Sequence, residues 1–231
     1  MPYDVIGVDT SFWEGLITVS KTVTAGAKFI MPKAGEEVVD EQFLNTWSHA
    51  KGKLKRGAFW FLTVQRNIRA QAQQFADLLK DDPGEIEPYV DYEQDKKRWA
   101  KKKVNPVTLK AGFSHLDFSH LSGFIFYFEE ALKAYYPKWP WKFPIGVYTG
   151  YDYWEHYGTI DPAFTVHPLW ISEPDPVAQP SALRPWGFGQ WRFWQTQFQA
   201  DGPKFGTGPD AQGIDMDVYN GTQAQFEADY G

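Results

Sequence analysis

Two carboxylate side chains, Asp91 and Glu93, stand one residue apart in the stretch EPYVDYEQ, at the end of a segment rich in strand-forming residues. In a β-strand, residues two apart project from the same face, so these carboxylates are predicted to point together. Two neighbouring carboxyl groups can supply one protonated acid and one negative charge. The spacing therefore indicates acid–base chemistry.

Three further aspartates lie at predicted strand ends. Asp9 lies in the stretch IGVDTS near the end of the first predicted strand, and Asp215 and Asp217 repeat the two-residue spacing in GIDMDVYNG. A single aspartate at a strand end is more often a turn or capping residue, because its side chain readily bonds nearby backbone. Three separate segments with such acids are harder to explain in that way. We expect the acids to cluster, so that burial and mutual repulsion raise the pKa of at least one of them.

Other kinds of catalytic group are poorly represented in the chain. Its five histidines form no HExxH motif and show no zinc-ligand spacing. It has no cysteine, which excludes disulfides, zinc thiolates and thiol nucleophiles. Ser11 and Ser172 lack the Gly-x-Ser-x-Gly context of a serine hydrolase. We therefore predict no metal and no cofactor.

The acids can meet only if several strand ends share one rim of a sheet. Segments rich in β-formers alternate with helical patterns through the first two thirds of the chain, which indicates parallel strands with right-handed crossovers. The predicted strands are 4–11, 27–35, 56–62, 86–93, 143–150, 165–174, 187–198 and 213–221. The predicted helices are 18–26, 39–52, 67–82 and 120–136.

This pattern predicts an α/β fold, a TIM-like barrel of about (β/α)5(β)3 in a single catalytic domain, residues 1–231. Linkers rich in Pro and Gly after Gly150 leave little room for helices, so the helical coat should be incomplete. Active sites of such barrels lie at the carboxyl ends of the parallel strands. Asp215, at the start of the last strand, reaches that rim only if this strand is antiparallel. The segment 101–120 is predicted to be an inserted loop.

The composition limits the classes of binding partner that we expect. The net charge of -6 argues against nucleic acid, and the basic run 95–103 is more typical of a solvated face. Aromatic residues make up 18% of the chain, and flat aromatic faces suit sugar rings. No apolar run approaches the roughly 18 residues of a spanning helix, so we expect no membrane partner. The start, MPYDVIGVDTSFW, lacks signal-peptide features, so we expect synthesis in the cytoplasm, and we expect a monomer.

Several short motifs follow one another in a recognisable order. They are GVDTSFWEG, with Gly-x-Asp-x-Ser-x-x-x-Gly spacing, then Asp-x-Glu at 91–93, YTG at 148–150, PLWI at 168–171, WQ at 194–195 and IDMD at 214–217. Together they resemble glycoside hydrolase family 25, the Chalaropsis-type lysozymes. Each motif is weak alone, but their order and spacing across the whole chain make the combined match strong.

The resemblance implies an N-acetylmuramidase that cleaves the β-1,4 bond between N-acetylmuramic acid and N-acetylglucosamine in bacterial peptidoglycan, acting as a phage or bacterial cell-wall lysin. It implies four catalytic residues, Glu93, Asp91, Asp9 and Asp215. The expected substrate-binding residues, although each aromatic alone is more often a core residue, are Tyr148, Trp194, Gln195, Lys33, Phe61, Trp170 and Asp217.

Some positions depart from the family pattern. KAGEE keeps Lys33 but lacks the family's threonine, and GAFWF has Phe59 and Trp60 where Tyr and His are usual. Asp217 replaces the closing asparagine, and we expect it to be a structural partner, for instance of Lys33. These changes leave open a glycan-binding barrel without catalysis, although a pure binder has no need of clustered acids that repel. A chitin-cleaving barrel is disfavoured, because only Asp91 precedes Glu93 where chitinases have several aspartates.

Overall fold

One sheet, closed into a barrel, organises the protein. The computed structural model describes residues 3–93, 116–174, 178–209, 211 and 213–231. The sheet has nine strands in the order β1-β9-β8-β7-β6-β5-β4-β2-β3, and an additional β1–β2 pairing closes it. The strands are β1 (Ile6–Thr10), β2 (Phe29–Gly35), β3 (Lys55–Arg56), β4 (Phe59–Phe61), β5 (Tyr89–Asp91), β6 (Gly146–Gly150), β7 (Leu169–Ser172), β8 (Phe193–Ala200) and β9 (Ile214–Tyr219).

The strand directions confirm the predicted mixed barrel. The strands from β1 to β8 pair in parallel, and β9 runs antiparallel between β8 and β1. The predicted third strand, 56–62, is divided into β3 and β4, which both pair with β2. Because β3 is a short side branch, the closed barrel itself has eight strands.

Helices cover part of the barrel. In the described residues they are α1 (Val19–Thr24), α2 (Phe43–Ala50), α3 (Ile68–Leu79), α4 (Phe118–Lys133), α5 (Tyr151–Tyr157), a 3-10 helix (Pro162–Val166), α6 (Gly202–Phe205) and α7 (Gln223–Tyr230). The first four confirm the predicted helices, and α4 begins at a capping box between Asp117 and His120. None of these described helices has the length and apolar character needed to cross a membrane.

The partial coat follows from the linkers. After β6 the connections contain only short helices, which were not predicted, because the Pro- and Gly-rich linkers interrupt the helical pattern. The basic run 95–103 and the predicted loop as far as residue 115 lie outside the described residues. The last residues of that predicted loop, from Phe118, belong to α4.

Strand alternation gives the barrel two apolar layers. Side chains that point inward fill the barrel, among them Tyr89 and Trp170, whose rings meet edge to face. Side chains that point outward pack against the helices, as Trp60 does against Phe75 of α3. Gly146 faces the interior, where a Cβ would overlap the ring of Tyr89. The interior is therefore a filled core, and ligands can reach only its rims.

A buried acid lies at the lower rim, where the parallel strands begin. Glu87 is fully buried, and its Oε1 accepts hydrogen bonds from the hydroxyls of Tyr89 (2.7 Å) and Tyr230 (3.2 Å). Burial raises the pKa of Glu87 to about 7, against the opposing effects of the Tyr89 hydroxyl and the nearby Arg192. Arg192 itself is paired with Asp229 at 2.7 Å. Glu87 thus ties the C-terminal helix α7 to the base of the barrel.

Candidate active site

The upper rim, where the parallel strands end, collects the predicted acids. Asp91 is the last residue of β5, and Asp9 is the penultimate residue of β1. Because β9 is antiparallel, it starts at this rim, and Asp215 stands directly opposite Asp9 in the β1–β9 register. The prediction that the last strand enters from the same rim is confirmed.

Gln195 connects the acids of the neighbouring strands. Its Nε2 donates to Asp9 Oδ2 at 2.6 Å and lies 3.4 Å from Asp215 Oδ2. Its Oε1 accepts from the hydroxyls of Tyr148 (2.8 Å) and Ser172 (3.0 Å). The two hydroxyls fix the orientation of the amide, so that its N–H group faces the acids.

The Asp9 carboxyl holds its proton more tightly than an ordinary aspartate. Burial raises its pKa well above the usual value, and the charges of Asp217 and Asp215 raise it further, while the hydrogen bond from Gln195 opposes them. Burial also raises the pKa of Asp215. Three acids this close cannot all be ionised without strong repulsion, so they titrate as one group.

Asp217 lies deeper in the barrel than Asp215 and is fully buried. Its Oδ1 accepts a hydrogen bond from Trp170 Nε1 at 2.8 Å. Burial raises its pKa well above the usual value, whereas this hydrogen bond lowers it. The structural partner of Asp217 is therefore Trp170 and not the expected Lys33, whose ammonium pairs with Glu36.

Asp91 and Glu93 form the second acidic pair of the rim. Asp91 is 4% exposed, and its Oδ1 is buried without a hydrogen-bond partner among the described residues. Burial raises the pKa of Asp91 well above the usual value, the charge of Glu93 raises it further, and the charge of Lys33 lowers it. Glu93 follows β5 and is half-buried, so it lies nearer the solvent than Asp91. This difference in depth separates the two acids.

Lys33 lies two residues before the end of β2, close enough to this pair for its charge to act on Asp91. Its ammonium forms an ion pair with Glu36 and lies 4.8 Å from the centre of the Phe61 ring. The ammonium side chain is 11% exposed. Lys33 therefore contributes a positive charge next to Asp91 without forming a direct bond to it.

The predicted binding aromatics do not all face the rim. Tyr148 and Trp170 point into the barrel with their rings 4.7 Å apart, and Trp170 is 1% exposed. Trp194 points to the outer layer instead, where its Nε1 donates to the Glu173 carbonyl. Trp194 is thus not brought to the acids, because it alternates with the inward-facing Gln195 along β8.

The loop after β1 supplies site residues that sequence reasoning missed. Glu14 Oε2 accepts hydrogen bonds from the Ser11 backbone N–H and hydroxyl, and its charge raises the pKa of Asp9. Phe12 and Trp13 are 42% and 53% exposed, with ring centres 4.3 Å apart. The backbone N–H of Phe12 donates a hydrogen bond to Asp40 Oδ2 at 3.0 Å, and this bond anchors the loop. The only signal for these residues was their position inside the GVDTSFWEG motif.

The arrangement suits the cleavage of a polar, neutral bond. Paired acids at two depths can donate a proton and carry negative charge, and exposed aromatic faces beside them can hold a sugar ring. Most of the acids belong to strands, so the barrel keeps them in place before a substrate arrives.

Comparisons with known proteins agree with this geometry. Residues 8–115 match the family model of glycosyl hydrolases family 25, and this range includes Asp9, Asp91 and Glu93. The resemblance seen in the sequence is confirmed. Among curated protein sequences, none gives a significant match.

Solved structures share the fold over the whole chain. A bacterial lysozyme from Streptomyces coelicolor is 23% identical with a TM-score of 0.71, and the alignment covers 100% of this chain and 98% of that one. A family 25 glycosyl hydrolase from Bacillus anthracis is 23% identical with a TM-score of 0.68, covering 100% and 96%. A muramidase from Acremonium alcalophilum is 24% identical with a TM-score of 0.67, covering 97% of each chain.

Proposed function

We propose that this chain, which matches glycosyl hydrolase family 25 over residues 8–115, is a peptidoglycan hydrolase of the N-acetylmuramidase type. It would cleave the β-1,4 bond between N-acetylmuramic acid and N-acetylglucosamine. The observation that carries this proposal is the meeting of two acidic groups at one rim, Asp91 with Glu93 and Asp9 with Asp215. The muramidases and lysozymes that share the fold support the choice of substrate.

Glu93 is the general acid in this proposal. It lies nearer the solvent than Asp91, so it can approach the oxygen of a bound glycosidic bond. The leaving oxygen takes the Glu93 proton as the bond to the anomeric carbon breaks, and the sugar becomes cationic. Burial and the charge of Glu93 raise the pKa of Asp91, which means that the pair shares protons as a unit.

Asp91 orients the 2-acetamido group of the sugar. Its buried Oδ1 has no partner among the described residues, and an unpaired buried carboxylate oxygen is unfavourable unless a donor reaches it. The amide N–H of the substrate is such a donor. Held in this way, the acetamido oxygen attacks the anomeric carbon and forms a cyclic intermediate. Water later gives a proton to the Glu93 carboxylate, attacks the anomeric carbon and breaks the bond to the acetamido oxygen, so the product retains its configuration. Nuclear magnetic resonance of the first product tests this route, because an α-anomer formed before mutarotation would show inversion.

Asp9, Asp215 and Asp217 share protons as one group, and the part of the group that stays ionised supplies negative potential at the rim. Gln195 bonds to Asp9 and Trp170 to Asp217, so these carboxyl groups need no rearrangement when the sugar becomes cationic. Phe12 and Trp13 would bind sugar rings beside the rim, because they are exposed and the bond to Asp40 anchors their loop.

Digestion of purified peptidoglycan, followed by mass analysis of the new reducing ends, tests the proposed function. New N-acetylmuramic acid ends are expected for the wild-type protein, and far fewer for Glu93→Gln in the same time. N-acetylglucosamine ends would overturn the assignment of the bond. If the protein sediments together with intact peptidoglycan and releases no fragments, the result would instead support the glycan-binding barrel without catalysis.

Action at the bacterial cell wall follows from this proposal. A phage lysin, a virion-associated lysozyme or a bacterial wall enzyme would each use the same site on the same glycan. The acids and aromatics of the rim offer sugar-binding surfaces, so we propose glycan strands as the partner and a monomer as the acting form.

A further inference from the structure

The end of β8 has an irregular backbone next to Asp215. In the β8–β9 pairing, Gln195 faces Asp217, Gln197 faces Met216 and Ala200 faces Ile214. Between each of these pairs and the next, β8 contains one residue more than β9. One extra residue on one strand is the definition of a β-bulge, so β8 has two bulges here. Bulges are common next to active sites, where they redirect a backbone or side-chain group.

Gln199 lies within the second of these bulges and has an unusual conformation. Its φ is +54°, and it is the only non-glycine residue with a positive φ among the described residues. L-residues with side chains avoid this region because the Cβ approaches the backbone closely, and such residues persist where the surroundings hold them. The side chain of Gln199 is exposed, so contacts of the side chain do not account for the conformation.

The backbone N–H of Gln199 provides a reason. It donates to Asp215 Oδ1 at 3.0 Å, whereas Gln195 Nε2 lies 3.4 Å from the other oxygen of the same carboxylate. The backbone opposite Gln199 belongs to Gly213, where an added Cβ would lie 2.6 Å from the Gln199 Cα. Gly213 thus leaves the space that the left-handed bend needs.

We propose that Gln199 is a positioning residue of the proposed glycosidase, whose left-handed backbone directs its N–H to Asp215 and holds that carboxylate facing Asp9. The role belongs to the backbone and not to the glutamine side chain. This inference rests on the proposed function only where it concerns turnover, because the hydrogen bond itself can be measured without substrate.

The charges around Asp215 explain why such a donor matters. Asp9 on β1, Asp217 on β9 and Glu14 in the loop after β1 are all acidic neighbours of this site. Burial raises the pKa of Asp215, and the Gln199 N–H is the group that lowers it. Without this bond, Asp215 would take up a proton more readily and the rim would lose negative charge.

Nuclear magnetic resonance of the wild-type protein gives the direct test. The Gln199 amide proton should shift with pH, following the titration of the Asp215 carboxyl carbon with the same midpoint. An amide signal that does not follow Asp215 would overturn the proposal. This measurement uses no substrate, so a protein that fails to cleave peptidoglycan but shows the linked titration would refute the proposed function alone.

Substitutions at position 199 separate backbone from side chain. Gln199→Val introduces a β-branched residue that strongly disfavours positive φ, whereas Gln199→Gly accepts it. We expect the valine variant to raise the Asp215 midpoint by about one to two pH units, as expected for loss of a hydrogen bond to a charged group. Its kcat should fall about tenfold with KM changed less than about threefold. The glycine variant should keep the wild-type midpoint and the amide response.

Gln197→Val is the matched control. Gln197 is also exposed on β8, and this substitution changes the side chain in the same way at a position without positive φ. It should leave the Asp215 midpoint in place. A valine variant at 199 with the wild-type midpoint, or a glycine variant that loses the amide response, would contradict the proposal. If the valine variant does not fold, the amide titration of the wild-type protein still decides the question.

Discussion

Replacing Glu87 by glutamine should remove a pH dependence from the stability of the barrel. Glu87 ionises with an ordinary pKa of 4.5 when unfolded, and burial raises this pKa to about 7 in the folded protein. Below pH 4.5 the group is protonated in both states, and its contribution to stability is fully present. As the pH rises from 4.5 to 7, only the unfolded chain gains from ionisation, so the free energy of unfolding falls.

The size of this fall follows from the two pKa values. The interval from 4.5 to about 7, at about 1.4 kcal/mol for each pH unit, gives about 3 kcal/mol. Glutamine has nearly the same shape, still accepts hydrogen bonds from Tyr89 and Tyr230, and does not ionise. The variant should therefore gain about 3 kcal/mol relative to the wild-type protein between pH 4.5 and pH 7.

Urea denaturation followed by tryptophan fluorescence, at pH values from about 4 to 8, measures this difference. Asp9, Asp91 and Asp217 also have raised pKa values, but they are present in both proteins and cancel in the comparison. Asp4→Asn, at an exposed position, is the control for the loss of a surface carboxyl group. A difference between Glu87→Gln and the wild-type protein that does not change with pH would refute the reasoning.

Three further substitutions test the upper rim. Glu93→Gln should lower kcat by about two to four orders of magnitude, the usual contribution of a positioned acid, and near-normal turnover would exclude Glu93 as the acid. Tyr148→Phe removes the 2.8 Å bond to Gln195, and kcat/KM should fall about fivefold; an unchanged value would mean that Gln195 is oriented without it. Trp13→Ala removes a ring that is 53% exposed, so KM should rise severalfold with kcat nearly constant, and a fall in kcat alone would argue against a binding role.

The barrel could be predicted because its signals are local and repeated. Each predicted strand corresponds to an observed one, since the alternation of β-rich and helical segments leaves few arrangements. The direction of the last strand followed from chemistry, because Asp215 had to meet Asp9 at one rim. The division of 56–62 into β3 and β4 was not predicted. The run is typical of one strand, and the break at Gly57 and Ala58 is seen only in the structure.

Within the site, strand residues were predictable and loop contacts were not. Asp91 and Asp217 follow from strand parity, which decides the face on which a side chain lies. Glu14 reaches Asp9 only through the turn of a loop, and Lys33 pairs with Glu36 because the chain bends back after β2. The Gln199 N–H depends on a bulge that leaves no pattern in side-chain types. Trp194 shows the opposite error, since a shared motif with Gln195 said nothing about which of the two points inward.

The antiparallel strand β9 also links the completion of the site to the closure of the barrel. Gln195 and Asp217 come from neighbouring strands joined by a short connection, so this half of the rim can form locally. Asp9 and Asp215 meet only when the first and last strands of the barrel pair, which closes a loop of nearly the whole chain. A chain that is partly synthesised or cut before β9 would have an open barrel and an incomplete set of acids. Activity in this architecture therefore requires that β1 and β9 have paired and closed the barrel.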